Sequence, residues 1–176
     1  MNVLLGVCGS IAAYKSVEIL RTFQRQEHGV TVIMTKNACR FIPPLTLETF
    51  APGRVHTAWF DAAGDPLLHI SLGREHDLLL VAPASAGTIA RMAAGMADDL
   101  LTATYLAFPG RVVLAPAMND GMFAHPAVRQ NIETLKARDV EVIRPESGEL
   151  ACRSTGTGRL PEPLHIVEYC LGVARV

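Results

Sequence analysis

The chain has 176 residues, which sets one domain as the expected count and leaves room for a sizeable buried core. Hydrophobic residues make up 49% and charged residues 19%, with a net charge of −1, so nothing points to a nucleic-acid partner. No apolar run is long enough to span a membrane, and neither the four cysteines nor the six histidines show metal-ligand spacing, so neither a membrane nor a metal is expected as a partner.

The first residues, Met1 to Gly6, lack the basic start and the length of a signal peptide, which makes the cytoplasm the expected location. Val3 to Val7 predicts a strand, Cys8-Gly9-Ser10 a turn, and the spacing of Ile11, Val17, Ile19, Leu20 and Phe23 a helix with one apolar face. Ser10 is placed to cap that helix, and its hydroxyl with the first unpaired N–H groups makes an anion site. The full GxGxxG fingerprint is absent, because Gly6 and Gly9 are three apart and Ala12 follows. On its own the turn reads equally as structure or as a phosphate cradle.

Gly29 to Thr35 predicts a second strand, followed by helical signal around Ala38 to Phe41 that Pro43 and Pro44 break. Residues 51–66 read as a long loop holding the only tryptophan, Trp59; such loops are usually functional or cover an interface. His69, between Leu68 and Ile70, stands just before the third strand and, taken alone, reads as a partly buried structural histidine. Asp77 to Val81 is that strand, ending in Pro83-Ala84-Ser85. A helical stretch then runs from Gly87 or Thr88 to Leu106, interrupted near Gly95, with Asp98 and Asp99 in its middle.

Val112, Val113 and Leu114 predict a strand buried on both faces. Pro116 ends it and exposes Ala117, Met118 and Asn119, two small or soft residues and an amide that suit ligand contact better than a core. His125-Pro126 starts a helix over 127–138, and Val140 to Ile143 is a fifth strand. Residues 148–163, with three glycines and two prolines, exclude a stable helix or central strand. They read either as a surface hairpin or linker, or as a flap that closes over substrate and delivers Cys152 and Arg159. A last helix runs from Pro163 to about Ala174.

Five strands separated by helices predict an α/β protein, a single-domain doubly wound (Rossmann-like, flavodoxin-like) parallel sheet over residues 1–176. Right-handed crossovers gather Gly9-Ser10, Thr35-Lys36, Ala84-Ser85 and Ala117-Asn119 at one edge, where ligands of such sheets bind. Small residues and hydroxyls on separate loops suit a flat ring and a phosphate, so a mononucleotide such as FMN is expected. No acidic residue is clearly placed for a ribose diol, which speaks against NAD.

Several of these stretches together resemble the flavin-dependent cysteine decarboxylases, of the phosphopantothenoylcysteine decarboxylase and peptidyl-cysteine decarboxylase types. They are Gly9-Ser-Ile-Ala-Ala-Tyr-Lys15, His69-Ile70, Ala82-Pro-Ala-Ser-Ala-Gly-Thr-Ile-Ala90, Ala97-Asp-Asp-Leu-Leu-Thr102, Pro116-Ala-Met-Asn-Asp-Gly-Met-Phe123 and Ala151-Cys-Arg-Ser-Thr-Gly-Thr-Gly-Arg159. The last is similar to the family's substrate clamp, at about 148–163. The resemblance implies FMN held by Gly9, Ser10, Ile11, Thr35, Ser85, Ala86, Gly87, Thr88 and Ala117. It implies His69 as base, Cys152 as a second catalytic group, and Asn119, Met122, Arg74 and Arg159 as substrate contacts.

The reaction so implied is FMN-dependent decarboxylation of an N-acylated C-terminal cysteine through a thioaldehyde. The substrate is either 4'-phosphopantothenoylcysteine or the C-terminal cysteine of a ribosomal peptide; Cys152 favours the former, because it can return a proton to the product. The resemblance also implies a homotrimer or homododecamer with FMN between subunits. Three positions depart from the family pattern: Gly87 stands where Asn is usual, Phe123 where Trp is usual, and Arg153 where a glycine follows the clamp cysteine. Flavin prenyl transfer and a non-enzymatic FMN-binding regulatory role are the remote alternatives. The first lacks this clamp among its known members, and the second has no need of His69, Asn119 and Cys152 together.

Overall fold

A computed structural model describes residues 1–60, 65–149 and 155–174. Six parallel strands form the main sheet: β1 (Asn2–Val7), β2 (Gly29–Met34), β3 (Val55–His56), β4 (Leu78–Ala84), β5 (Arg111–Pro116) and β6 (Glu141–Val142). Their spatial order is β3-β2-β1-β4-β5-β6, so the chain winds outward from β1, returns, and winds the other way from β4. Val3 stands opposite Val30 on one side and Leu78 on the other, which makes β1 the centre of the sheet. The sheet has six strands rather than five. The extra one, β3, is two residues long and pairs Val55 and His56 with Val32 and Ile33 inside the stretch expected to be loop.

Both faces of the sheet are covered. On one, Val3, Leu5 and Val7 pack against Ile19 and Phe23 of α1 (Ser16–Arg25) and Ile166 and Val167 of α8 (Pro163–Ala174). On the other, Leu4, Leu79 and Val81 meet Leu72 of α3 (Leu68–Glu75), Ile89 of α4 (Ala86–Ala94), Leu101 of α5 (Leu100–Ala107) and Leu135 of α7 (Pro126–Lys136). Two-sided burial is why the central strands read as unbroken apolar runs instead of alternating ones.

Local chemistry sets the helix boundaries. Pro44 does not simply break helical structure; it opens α2 (Pro44–Glu48) from the first-turn position, where its missing N–H costs nothing. The stretch 87–106 divides at Gly95, whose φ of 71° terminates α4 in a left-handed cap. Asp99 then starts α5 with a capping box, its carboxylate accepting from the Thr102 N–H at 2.8 Å. Arg91 reaches Asp99 at 3.3 Å and Asp98 at 3.7 Å, tying the two helices across the break.

Residues 146–159 contribute a separate two-stranded antiparallel sheet, β7 (Glu146–Glu149) and β8 (Thr155–Arg159). Among the described residues no helix is long and apolar enough to cross a membrane, and no group of three or more His, Cys, Asp or Glu side chains could hold a metal.

Candidate functional site

The winding direction reverses between β1 and β4, and the loops that leave the carboxyl ends of β1, β4 and β5 part there. A cleft of about 660 Å³ fills that gap. Its size lies inside the roughly 300–1,000 Å³ usual for small-molecule sites.

Three loops are bonded to one another before they line the cleft. The Cys8 N–H donates to the Pro83 carbonyl at 3.2 Å, and the Ala117 N–H to the Ala84 carbonyl at 3.1 Å. The Ser10 hydroxyl reaches the Ala117 carbonyl at 3.4 Å. Ser10 also caps the 3-10 turn Ile11–Lys15 by accepting from the Ala12 N–H, and Ser85 caps α4 by accepting from the Thr88 N–H. Two capped starts thus face one cavity with their hydroxyls. Gly9 lines the cleft for a packing reason as well: a Cβ there would stand 2.5 Å from the Cβ of Asn37.

The remaining wall comes from the loop after β5 and from the hairpin. Ala117 is buried, at 4% exposure, whereas the loop as a whole was expected to be exposed; Met118 is half-buried and Asn119 exposed. Asn119 caps α6 (Asp120–Ala124), its Oδ1 accepting from the N–H of Gly121 at 2.9 Å and of Met122 at 3.4 Å. That use of the oxygen fixes the plane of the carboxamide. β8 lies directly on this loop, with the Met118 N–H donating to the Gly158 carbonyl at 3.0 Å. Gly158, Arg159 and Leu160 close the cleft on that side.

Charge inside the cleft is limited. Lys15, its side chain only 12% exposed, binds Glu162 at 3.0 Å, and Arg159 binds the same Glu162 oxygen at 2.7 Å. Glu162 is accordingly held below the ordinary carboxylate range, first by the hydrogen bond from Lys15 and then by the nearby cations. Burial pushes the Cys8 thiol beneath the floor upward, against hydrogen bonds with Thr88 and Ser85. It is a core group.

Of the residues expected to hold a cofactor, Gly9, Ser10, Ile11, Ser85, Ala86 and Ala117 line the cleft, as do Asn119, Met122 and Arg159 among the expected substrate contacts. Thr35 and Thr88 do not. Thr35 is 8% exposed and accepts from the Ala38 N–H, and Thr88 is 1% exposed and bonds to Ser85 and Arg91. Gly87 sits at the start of α4, where a Cβ would meet nothing within 4 Å. Cys152 and Arg153 lie outside the described residues.

His69 is not in this cleft. It lies in the first turn of α3, a helix the sequence did not reveal, beside Trp59, with ring centroids 4.9 Å apart. Arg74 is exposed in the last turn of the same helix, also away from the cleft. Lys15 and Tyr14 line the cleft but were not singled out as site residues. Their signal was one turn of helix beyond Ser10, on the face that Ser10 starts.

The cleft fits a flat ring carrying a phosphate. Small residues (Gly9, Ala12, Ala86, Ala117) let a planar group lie against backbone, Ile11 and Met122 supply apolar edges, and hydroxyls with Lys15 suit an anion. Fold and cleft together define a doubly wound α/β protein with its ligand site at the switch point, lidded by a hairpin. The flavoprotein family matches residues 1–175, and the chain belongs to that family. The coenzyme A biosynthesis bifunctional protein CoaBC of Vibrio vulnificus is 43% identical over 170 residues, 96% of this chain and 42% of that protein. The chain thus spans about two fifths of the length of the curated relatives it matches. A solved PPC decarboxylase mutant complexed with pantothenoylaminoethenethiol is similar with a TM-score of 0.87 and 30% identity, covering 99% of this chain and 98% of that one. The FMN-dependent cysteine decarboxylase SpaF gives 0.86 and 29%, covering 100% and 98%.

Proposed function

We propose that the protein is an FMN-dependent cysteine decarboxylase whose substrate is 4'-phosphopantothenoylcysteine. The observation that carries this reading is the bonding of β8 onto the loop of Met118, which sets Asn119 and Arg159 on one cleft beside Ser10 and Ser85. CoaBC, at 43% identity, favours the pantothenoyl substrate, and the likeness to SpaF keeps a peptide ending in cysteine as the second reading.

FMN would lie against Gly9, Ser10, Ile11, Ser85, Ala86 and Ala117, with the buried Thr35 and Thr88 supporting these loops from behind and Gly87 exposed beside Ala86 at the start of α4. When bound it supplies an acceptor for the two electrons of the cysteine Cβ–S unit, so that CO2 leaves from a thioaldehyde and not from an unstabilised carbanion. The remaining work is the protein's. Asn119, whose oxygen caps α6 at the mouth of the cleft, holds the substrate carboxylate and amide. Met122 and Arg159 close over the acyl portion, with Arg74, on the same helix as His69, a further substrate contact where a second copy brings that helix to the cleft. His69 takes the thiol proton. Cys152, in the clamp, returns a proton to carbon when the product is a saturated thiol.

His69 can serve the cleft if a second copy brings it there. Ile11, Tyr14 and Met122 expose 61%, 63% and 48% of their surface at the cleft, and Phe60 and Leu67 expose 75% and 56% near His69. Two unlike apolar patches on one chain support a head-to-tail contact, which closes into a ring such as a trimer or a multiple of one.

The test is anaerobic incubation with phosphopantothenoylcysteine and, separately, with a short peptide ending in cysteine, read by mass spectrometry while flavin colour is followed. Loss of CO2 alone from the first, with the flavin left oxidised, is the expected result. Loss of CO2 and two hydrogens from the peptide, with bleaching, would establish the second reading. Turnover of neither would sink both.

A further inference from the structure

A histidine that works as a base generally has its second ring nitrogen tied by a hydrogen bond, which fixes tautomer and ring plane. His69 has no such tie among the described residues: its Nδ1 is enclosed by protein and meets no hydrogen-bond partner there. The ring meets Trp59 instead, in an edge-to-face contact with an interplanar angle of 63° and 4.9 Å between centroids. Trp59 is held in turn by Phe60, stacked on it at 5.0 Å and 9°, and by the core on the α3 side of the sheet. Its Nε1–H is likewise enclosed without an acceptor. Buried indole N–H groups ordinarily find a partner, and two unsatisfied ring nitrogens side by side are a poor bargain for a core. Packing of that kind has a reason to persist where it orients a reacting group.

We infer that Trp59 is the positioning residue of the proposed base: its indole holds the His69 imidazole by packing, leaving Nε2 as the nitrogen presented to the substrate thiol. The inference rests on the decarboxylase reading of His69. Nothing in the expected site residues included Trp59, and no bond from it reaches the cleft.

The pair carries its own reporter, because Trp59 is the chain's one tryptophan. Because the His69 ring touches the indole, emission of the full chain as purified should differ between wild type and His69→Asn, compared at one pH. Trp59→Leu should lower kcat by up to about 10²-fold, as a misplaced base does, with KM little changed. Trp59→Phe, which restores an aromatic ring, should recover most of the loss.

Identical emission in wild type and His69→Asn, or full kcat in Trp59→Leu, would overturn the inference. Wild-type turnover by His69→Asn would overturn it too, by removing the base that Trp59 is said to hold. If the wild-type protein turns over neither cysteine substrate, the decarboxylase reading fails separately, and the positioning role in catalysis fails with it even where the fluorescence difference survives.

Discussion

Glu162, three residues past the end of β8, accepts a hydrogen bond from Lys15 of the first cleft loop at 3.0 Å. The same oxygen takes Arg159, so one carboxylate joins the hairpin to the floor of the cleft and pairs with two of its cations. The Glu162 N–H also reaches a Glu146 carboxylate oxygen at 3.4 Å, which brings the first strand of the hairpin into the same junction.

Glu162→Gln should therefore loosen the hairpin more than it destabilises the fold. The side chain is 47% exposed, so solvent screening keeps the loss to about 0.5–1 kcal/mol. Because the folded-state pKa lies below the unfolded value of about 4.3, the contribution is full above that value and vanishes as pH falls through the lower one. Thermal melts of wild type and variant should differ at neutral pH and converge in acid, once Glu162 is protonated in both folded and unfolded chains. Equal melts at neutral pH would contradict the junction.

Gly158→Ala should damage the site while leaving the sheet alone. A Cβ there would drive into the Met118 carbonyl, which is backbone and cannot swing aside. The hairpin must lift from the loop of Asn119, and a displacement of about 1 Å is enough to cost on the order of 10²-fold in kcat/KM. Circular dichroism should remain native while turnover falls. Unchanged turnover would show that the contact between β8 and that loop is irrelevant to substrate.

Gly87→Asn restores the residue usual in related decarboxylases. Because a Cβ at this position would meet nothing within 4 Å, the substitution should fold without strain and gain a few tenths of a kcal/mol from the helix backbone, roughly. Flavin dissociation, followed by filtration and absorbance, should be as slow as in wild type or slower. Faster loss of flavin would mean that the site has adapted to the glycine.

The buried thiols should be inert. Burial pushes Cys170 up to about 12 and raises Cys8 as well, whereas Cys39 is only half-buried. A thiol reagent at mildly alkaline pH should modify Cys39 ahead of both, with Cys8 and Cys170 reacting only on unfolding. Stability should also decline as pH rises above about 8.5, where the unfolded chain ionises thiols that the fold keeps protonated. Mass mapping of labelled peptides checks the order.

How much of the molecule was legible in the sequence depends on where each signal resides. β1, β2, β4 and β5 are buried on two faces, so their own residues announce them; β3 is two residues whose strand character comes from Val32 and Ile33 across the gap. The cleft was equally visible, since Ser10, Ser85 and Asn119 each sit just past a strand and cap the next helical turn. The position of His69 was not visible. The sequence motif says that it accompanies the others, but only the crossover from β3 to β4 decides on which side of the sheet α3 carries it. Trp59 announced itself as the chain's one tryptophan, in a long loop, without any hint that it touches His69.

The hairpin of β7 and β8 is a sheet of its own, joined to the main body among the described residues by the backbone bond to Met118 and by the Lys15–Glu162 ion pair just beyond it. Frame and lid are thus separable in heredity as well as in space. Mutations that reshape β7 and β8 can redraw one wall of the cleft while the loops of Ser10, Ser85 and Ala117 keep their shape, so a lineage can change its diet without rebuilding its engine.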